Sequence, residues 1–191
     1  NNFKFGGIKY GNTAELETIG GDYVLDLSVF PLLTGINDAS INNITTLKYV
    51  RVKNVENDPF NLYSSFFGGV SQLKRIFGHI CLREGGVFNR LNNFYVNTEV
   101  TPAVFEEPVF NSGKNYTNIT IDTESLAHAF RETSCSLSDL YYIMHKVNEK
   151  VVDLSWAFTD CKNMETKLDG QQLDKNLFKN CINVKNIDYM F

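Results

Sequence analysis

The chain has 191 residues, of which 43% are apolar and 13% aromatic, enough to bury a core in one elongated domain or two small ones. This composition excludes a disordered tail. The net charge of −4, with Lys and Arg scattered along the chain, excludes the basic patch that a nucleic-acid-binding surface needs.

Residues 1–40 are punctuated by glycine pairs, with Phe3 and Phe5 alternating before the first pair and an apolar run from Val24 after the second. Glycine pairs between short apolar runs are typical of strands joined by turns. We therefore predict an N-terminal β-rich segment or cap over residues 1–40.

Residues 41–84 contain the clearest predicted strand, from Leu47 to Lys53. Alternation with period two directs Val50 and Val52 inward and the intervening side chains outward. The outward row, with two tyrosines that follow later in the chain, forms our predicted binding surface: Tyr49, Arg51, Lys53, Tyr141 and Tyr142. A second strand is predicted from Ile76 to Leu82, and the two pair in parallel if they are equivalent.

Residues 85–122 carry two of the four prolines, Pro102 and Pro108, and a β-like alternation at Thr117, Ile119 and Ile121. We interpret this stretch as an inserted loop or hairpin, a place where repeat proteins often carry function. An enzyme with its site in this insertion is an alternative, with Glu106 and Glu107 as its carboxylates. Adjacent residues of an extended segment point to opposite faces, however, which disfavours a catalytic pair.

Residues 123–191 change to helical spacing. Leu126, Ala129 and Phe130 predict one helix, and the i, i+3, i+4, i+7 set from Leu140 to Val147 predicts another behind Ser138 and Asp139. The stretch from Leu137 to Ile143 also fits a repeat strand, and we favour the helix.

A short phrase recurs along the chain: an apolar residue, two variable residues, a small or flexible one, then Phe. Its copies begin at Leu62, Leu126, Leu154 and Ile187, which are 64, 28 and 33 residues apart. The first gap is about twice the others, so the phrase fits a unit of about 30 residues, a length typical of stacked repeats. Such a unit cannot cover its own apolar face, so we expect each copy to stack on its neighbours.

A second frame, F-x-x-C-x-N-apolar, begins at Phe158 and again at Phe178, with a looser version from Phe130 to Cys135. With these residues, the stretch from Val151 to Phe191 resembles the BspA-type leucine-rich repeats of bacterial surface proteins and of some phage proteins. The resemblance covers about the last 70 residues. It implies an α/β fold, an irregular leucine-rich-repeat-like solenoid with short parallel strands and helical turns.

The four cysteines are predicted to pack as small apolar side chains, because Cys161 and Cys181 occupy the same position of the second frame. A disulfide between these two is the competing interpretation. No C-x-x-C pair and no spaced histidines predict a zinc site, so we expect no metal or cofactor. A catalytic pair of Cys135 and His145 is disfavoured, because a helix between them would hold them far apart.

These patterns favour a non-enzymatic structural or interaction module that binds other proteins, either virion components or a host surface protein or glycan, and that can form a homo-oligomer. The resemblance implies a phage virion protein of the tail or of host attachment, and the alternative is an adhesin on a bacterial surface. No apolar run reaches the length of about 18 residues that a membrane span needs. The absence of an initiating Met, and the F-x-x-C frame that would restart at Phe191, predict a fragment of a longer protein.

Overall fold

The computed structural model describes residues 18–19, 22–35, 44–64, 66–94, 96, 117–164 and 176–191. In this part of the chain the fold is α/β, with a sheet of five parallel strands and a single helix. The prediction of an α/β fold with parallel strands is therefore confirmed. The predicted opening strands at Phe3 and Phe5, and Pro102, Glu106, Glu107 and Pro108 of the insertion, lie outside the described residues.

The sheet is built from six short segments. They are β1 (Thr18–Ile19), β2 (Asp22–Asp26), β3 (Tyr49–Arg51), β4 (Phe60–Leu62), β5 (Arg75–Leu82) and β6 (Thr117–Ile121). The strand order is β1-β2-β3-β5-β4, and β6 also pairs with β5. Only β1 is antiparallel, where it covers the first two residues of β2.

The central strand β5 changes partners at Gly78. Residues 75–77 pair with β3, whereas residues 78–82 pair with β6 and, from Ile80, with β4. Gly78 has a φ of +115°, and a Cβ there would lie 2.3 Å from the Val52 carbonyl oxygen. Only glycine allows this backbone and this close approach.

The two predicted strands pair in parallel, and the inner face of β5 is as predicted. Val50 pairs with Ile76, and Ile80 and Leu82 extend the same apolar core. The opposite face is not the exposed row that the alternation predicts. Tyr49 and Arg51 are only 5% and 6% exposed, so their prediction as surface residues is wrong.

The reason is that neighbouring strands carry partners for both side chains. Tyr49 stacks on Phe77 with ring centroids 6.2 Å apart. The Arg51 guanidinium donates to the Asp26 carboxylate at 2.8 Å. Period two distinguishes the faces of a strand, but it does not tell which face is covered.

The predicted helix near Leu140 is confirmed, as α1 (Leu137–Lys146). Ser136 caps it: its hydroxyl accepts from the Asp139 amide, and the Asp139 carboxylate accepts from the Ser136 amide. The predicted helix around Leu126 is wrong, because that segment forms turns and His128 has a φ of +58°. A left-handed residue cannot continue a right-handed helix.

A continuous row of phenylalanines runs through the core, among buried Leu, Ile and Val side chains. Phe88 stacks on Phe67 at 5.9 Å and packs at a tilt against Phe130 at 5.4 Å, and Phe158 stacks on Phe130 at 5.4 Å. Phe88, near the start of the predicted insertion, therefore belongs to this row. Strand β6, at the end of the predicted insertion, belongs to the sheet. In the described part of the chain, no helix is long and apolar enough to cross a membrane.

Candidate interaction surface

The turns that carry the row of phenylalanines share one local geometry. A polar residue precedes a Leu or Ile, and its side chain accepts from the amide two residues later: Asp153 from Ser155 at 2.9 Å, and Asn186 from Asp188 at 3.0 Å. Asp26 and Ser28 repeat this contact at 2.9 Å. Asp and Asn favour such turns because their short side chains reach their own backbone.

Successive turns are joined by parallel hydrogen bonds. The amides of Leu126, His128 and Phe130 donate to the carbonyls of Asp153, Ser155 and Ala157. The next turn repeats this pattern, since the amides of Leu154, Trp156 and Phe158 donate to the carbonyls of Asn186, Asp188 and Met190 at 2.8–2.9 Å. At these positions each turn presents amides on its forward side and carbonyls on its backward side. At the entry to each turn the direction is reversed, because the carbonyls of Glu124 and Val152 accept from the amides of Val152 and Lys185.

Left-handed residues produce this polarity. His128, Trp156 and Tyr189 have φ values of 58°, 57° and 53°, and Gly86 has 69° at the matching position before Phe88. A left-handed residue beside right-handed ones turns alternate amides to the same side. Each such residue other than glycine costs about 1–2 kcal/mol, so the stacking must offset that cost.

An aromatic row follows the left-handed positions. The His128 and Trp156 rings stack with centroids 5.8 Å apart, and Trp156 and Tyr189 stack at 4.4 Å. The Arg131 guanidinium lies 5.1 Å from the Trp156 ring centre. The Trp156 ring thus has a ring on each face, and Tyr189, at the end of the row, is largely exposed.

Asparagines connect the turns on another side. The side-chain amides of Asn93, Asn163 and Asn183 donate to the carbonyls of Ser71, Ser134 and Glu149 at 3.0, 2.7 and 2.8 Å. All three stand five residues after a Phe. The frame F-x-x-apolar-x-N-apolar therefore includes Phe88 to Phe94, a copy missed by the stricter pattern because Leu91 replaces Cys.

The forward side of the last described turn carries an exposed apolar surface. We call residues 185–191 the terminal edge. Ile187, Tyr189 and Phe191 are 61%, 69% and 57% exposed, and Phe178 and Ile182 beside them are also exposed. Within the described residues, no acceptor contacts the amides of Ile187, Tyr189 or Phe191. The terminal edge is thus apolar and rich in unbonded amides, features typical of protein-binding surfaces.

The predicted binding residues lie away from this edge. Lys53 pairs with Asp58 at the end of β3. Tyr141 and Tyr142 are half-buried on α1, and the Tyr142 hydroxyl accepts from the Ile119 amide at 3.2 Å. Since β5 separates β3 from β6, the structure does not bring the tyrosines of α1 together with Tyr49.

The cysteines are packing residues. All four are free thiols, so the predicted packing role stands and the Cys161–Cys181 disulfide is absent. The Cys161 thiol donates to the Phe130 carbonyl at 3.1 Å, and burial raises its pKa. Burial raises the pKa of the Cys135 thiol further still, so neither is a ready nucleophile.

The histidine of the disfavoured catalytic pair is engaged elsewhere. His145 donates to the Tyr141 carbonyl at 2.7 Å, a contact within α1 rather than with Cys135. Among the described residues, no group of three or more His, Cys, Asp and Glu side chains could hold a metal ion. Comparison with protein families, with curated proteins and with solved structures found no match for the chain.

Proposed function

We propose that this chain is a non-enzymatic, repeat-built module that binds other proteins, an irregular leucine-rich-repeat-like solenoid of the BspA type. The single observation that supports this proposal most strongly is the parallel bonding of three successive turns, through Ser125, Asp153 and Asn186. Each turn shields the apolar residues of the next, which is the principle of a repeat stack. The aromatic and asparagine rows repeat with the same turns.

The terminal edge shows which groups a turn of this stack presents on its forward side: apolar side chains and backbone amides, which a further turn or a bound partner can cover. Exposed aromatic and aliphatic side chains of this size are scarce on a monomeric surface unless they bind something. Tyr is among the residues that contribute most to protein interfaces. The sheet face predicted for this role contributes less, because Tyr49 and Arg51 are already engaged inside the fold.

We place the module in a phage virion, at the tail or in host attachment, and keep a bacterial surface adhesin as the alternative. Four unpaired cysteines fit assembly inside a reducing compartment better than secretion. An enzyme with its site within residues 85–122 finds no support in the part of this stretch that the structure describes, residues 85–94, 96 and 117–122.

Labelling with an antibody against the chain tests this proposal. Particles and intact cells are collected from the source culture and examined separately by immunogold electron microscopy. Label on particles supports the virion, and label on the cell envelope supports the adhesin. Label that stays inside cells and never reaches particles or envelope would contradict both.

A further inference from the structure

One position of the aromatic row has no ring. His128, Trp156 and Tyr189 each stand two residues before a Phe, in left-handed backbone, and they carry the rings of the row. Gly86 stands two residues before Phe88 and has the same backbone, with a φ of 69°. The row therefore reaches Gly86 with its backbone geometry intact but without a side chain.

The turn that contains Gly86 lies directly beside the turn that contains His128. The Phe88 amide donates to the Ala129 carbonyl at 2.9 Å, just as the Phe130 amide donates to the turn that follows it. The His128 turn thus has the Gly86 turn on one side and the tryptophan turn on the other. Within the described chain, the His128 ring stacks on the ring of the tryptophan turn and makes no second ring contact.

The space beside Gly86 is open. Among the described residues, a Cβ on Gly86 meets only the Ser64 Cβ within 4 Å, at a distance of 3.9 Å. At the preceding Gly85, by contrast, a Cβ would lie 2.6 Å from the Ala127 carbonyl oxygen. Gly86 is partly exposed and Ser64 is exposed, so solvent reaches this space. We call the space over Gly86, between Ser64 and the His128 ring, the ring gap.

The ring gap continues the spacing of the row. The centroids of neighbouring rings lie 5.8 Å apart between His128 and Trp156 and 4.4 Å apart between Trp156 and Tyr189. A flat ring on the other face of His128 would take the next place in the same series. Offset-stacked rings at such distances attract one another beyond the area that they bury.

The polar groups at the ring gap favour an apolar ring over a sugar. The Ser64 hydroxyl and the Ser64 amide both donate to the Glu84 carboxylate, at 2.7 and 3.1 Å, so this wall already has its hydrogen bonds. A bound sugar needs free polar groups around it, whereas an aromatic side chain needs only a ring face. His128 is incompletely satisfied, because its Nδ1 is buried without a hydrogen-bond partner among the described residues. Such a group in a native fold calls for an explanation, and a bound side chain is one.

We propose that the ring gap binds an aromatic side chain of a partner protein, which stacks on the free face of His128 and extends the row. This inference rests on the proposed binding function and deepens it, because it names a surface and the chemistry of the partner. Glu84 and Arg90 are exposed on either side of Gly86 along the chain and place charged groups around the ring gap. An aromatic anchor inside a polar rim is the usual arrangement of a protein interface.

Titration of the whole chain with p-cresol, the side chain of tyrosine, tests this proposal. The chain has three histidines, whose ring protons are followed by nuclear magnetic resonance. A ring stacked on His128 should shift its signals upfield, with half-saturation at about 10 mM, as expected for so small a ligand. The signals of His79 and His145 should stay in place. Methyl glucoside at the same concentrations should move none of the three.

Two tyrosine variants locate the binding site. Gly86→Tyr places a ring in the gap, so it should shift the His128 signals without any probe and abolish the binding of p-cresol. The left-handed backbone accepts this change, since His128, Trp156 and Tyr189 already hold it. Gly69→Tyr is the matched control: Gly69 is also an exposed left-handed glycine, with a φ of 71°, and its replacement should leave binding unchanged.

Three results would overturn the proposal. They are His128 signals that p-cresol does not move, binding that Gly86→Tyr retains, and binding of methyl glucoside in preference to p-cresol, which would assign the gap to a glycan. Unmoved His79 and His145 signals show that each variant is folded. Failure of this test leaves the proposed function standing, because antibody labelling does not depend on the ring gap. Label confined to the cell interior would reject that function and leave the p-cresol result unchanged.

Discussion

Phe130 and Phe158 lie with their rings only 4° from parallel and their centroids 5.4 Å apart, although 28 residues separate them along the chain. Both are almost completely buried, and each stands at the same place in its turn. The pair shows what the weak sequence repeat means in the structure: side chains at equivalent positions of successive turns stack face to face.

Truncation of Phe158 should destabilise the fold strongly. Its side chain lies between Phe130 and Phe191, and Phe158→Ala removes contacts on both sides and leaves a cavity. We expect a loss of about 3–5 kcal/mol in the free energy of unfolding, measured with urea. Phe178→Ala is the control: this ring is 42% exposed, and its removal should cost less than about 1 kcal/mol. Equal losses would contradict the proposed row.

Replacement of Gly78 should be far more harmful than replacement of Gly86. Gly78→Ala adds a Cβ against the Val52 carbonyl oxygen in a strained backbone, and we expect a loss above about 3 kcal/mol. Gly86 is also left-handed, but a Cβ there meets nothing closer than 3.9 Å. Gly86→Ala should therefore cost only about 1–2 kcal/mol, as thermal unfolding of both variants will show.

The thiols should differ in their reactivity. Burial raises the pKa of all four thiols, but Cys181 is partly exposed whereas Cys81, Cys135 and Cys161 are buried. In native buffer, iodoacetamide should modify Cys181 first and the others only on unfolding, as read by mass spectrometry. A native protein two mass units lighter than its reduced form would instead reveal a disulfide.

Stability should fall as the pH drops through the range where histidine titrates. Burial lowers the pKa of His79, whose ring lies 2.8 Å from the Thr120 hydroxyl, while nearby Glu56 partly opposes the shift. The unfolded chain then binds the proton more readily, so the stability gained from neutral His79 is present above its unfolded pKa and lost below it. The urea midpoint should be lower at pH 5.5 than at pH 7.5, and His79→Asn should reduce that difference. An unchanged difference in the variant would exclude His79 as its source.

Three features could be predicted from the sequence: the parallel pairing of β3 with β5, the helix α1 and the packing role of the cysteines. These depend on apolar periodicity, which the fold preserves. Periodicity did not distinguish a helix from a turn at Leu126, because the apolar spacing of the turn matches that of a helix and left-handed backbone at His128 has no sequence signal of its own.

The candidate surface was harder to predict than the fold. The outward row of β3 is buried because Asp26 and Phe77, distant in sequence, cover Arg51 and Tyr49. The hydrogen bonds between turns were also beyond prediction, because they depend on left-handed backbone at His128, Trp156 and Tyr189, three residue types with nothing in common. The Phe88 copy could have been found by allowing any apolar residue in place of Cys.

Amide hydrogen exchange tests the stacking of turns most directly. The amides of Leu126, His128, Phe130, Leu154, Trp156 and Phe158 donate to the next turn and should exchange slowly in dilute protein. Those of Ile187, Tyr189 and Phe191 occupy the same positions and should exchange rapidly. Rapid exchange of all six bonded amides, from Leu126 to Phe158, would contradict the stack, whatever the stability of the rest of the fold.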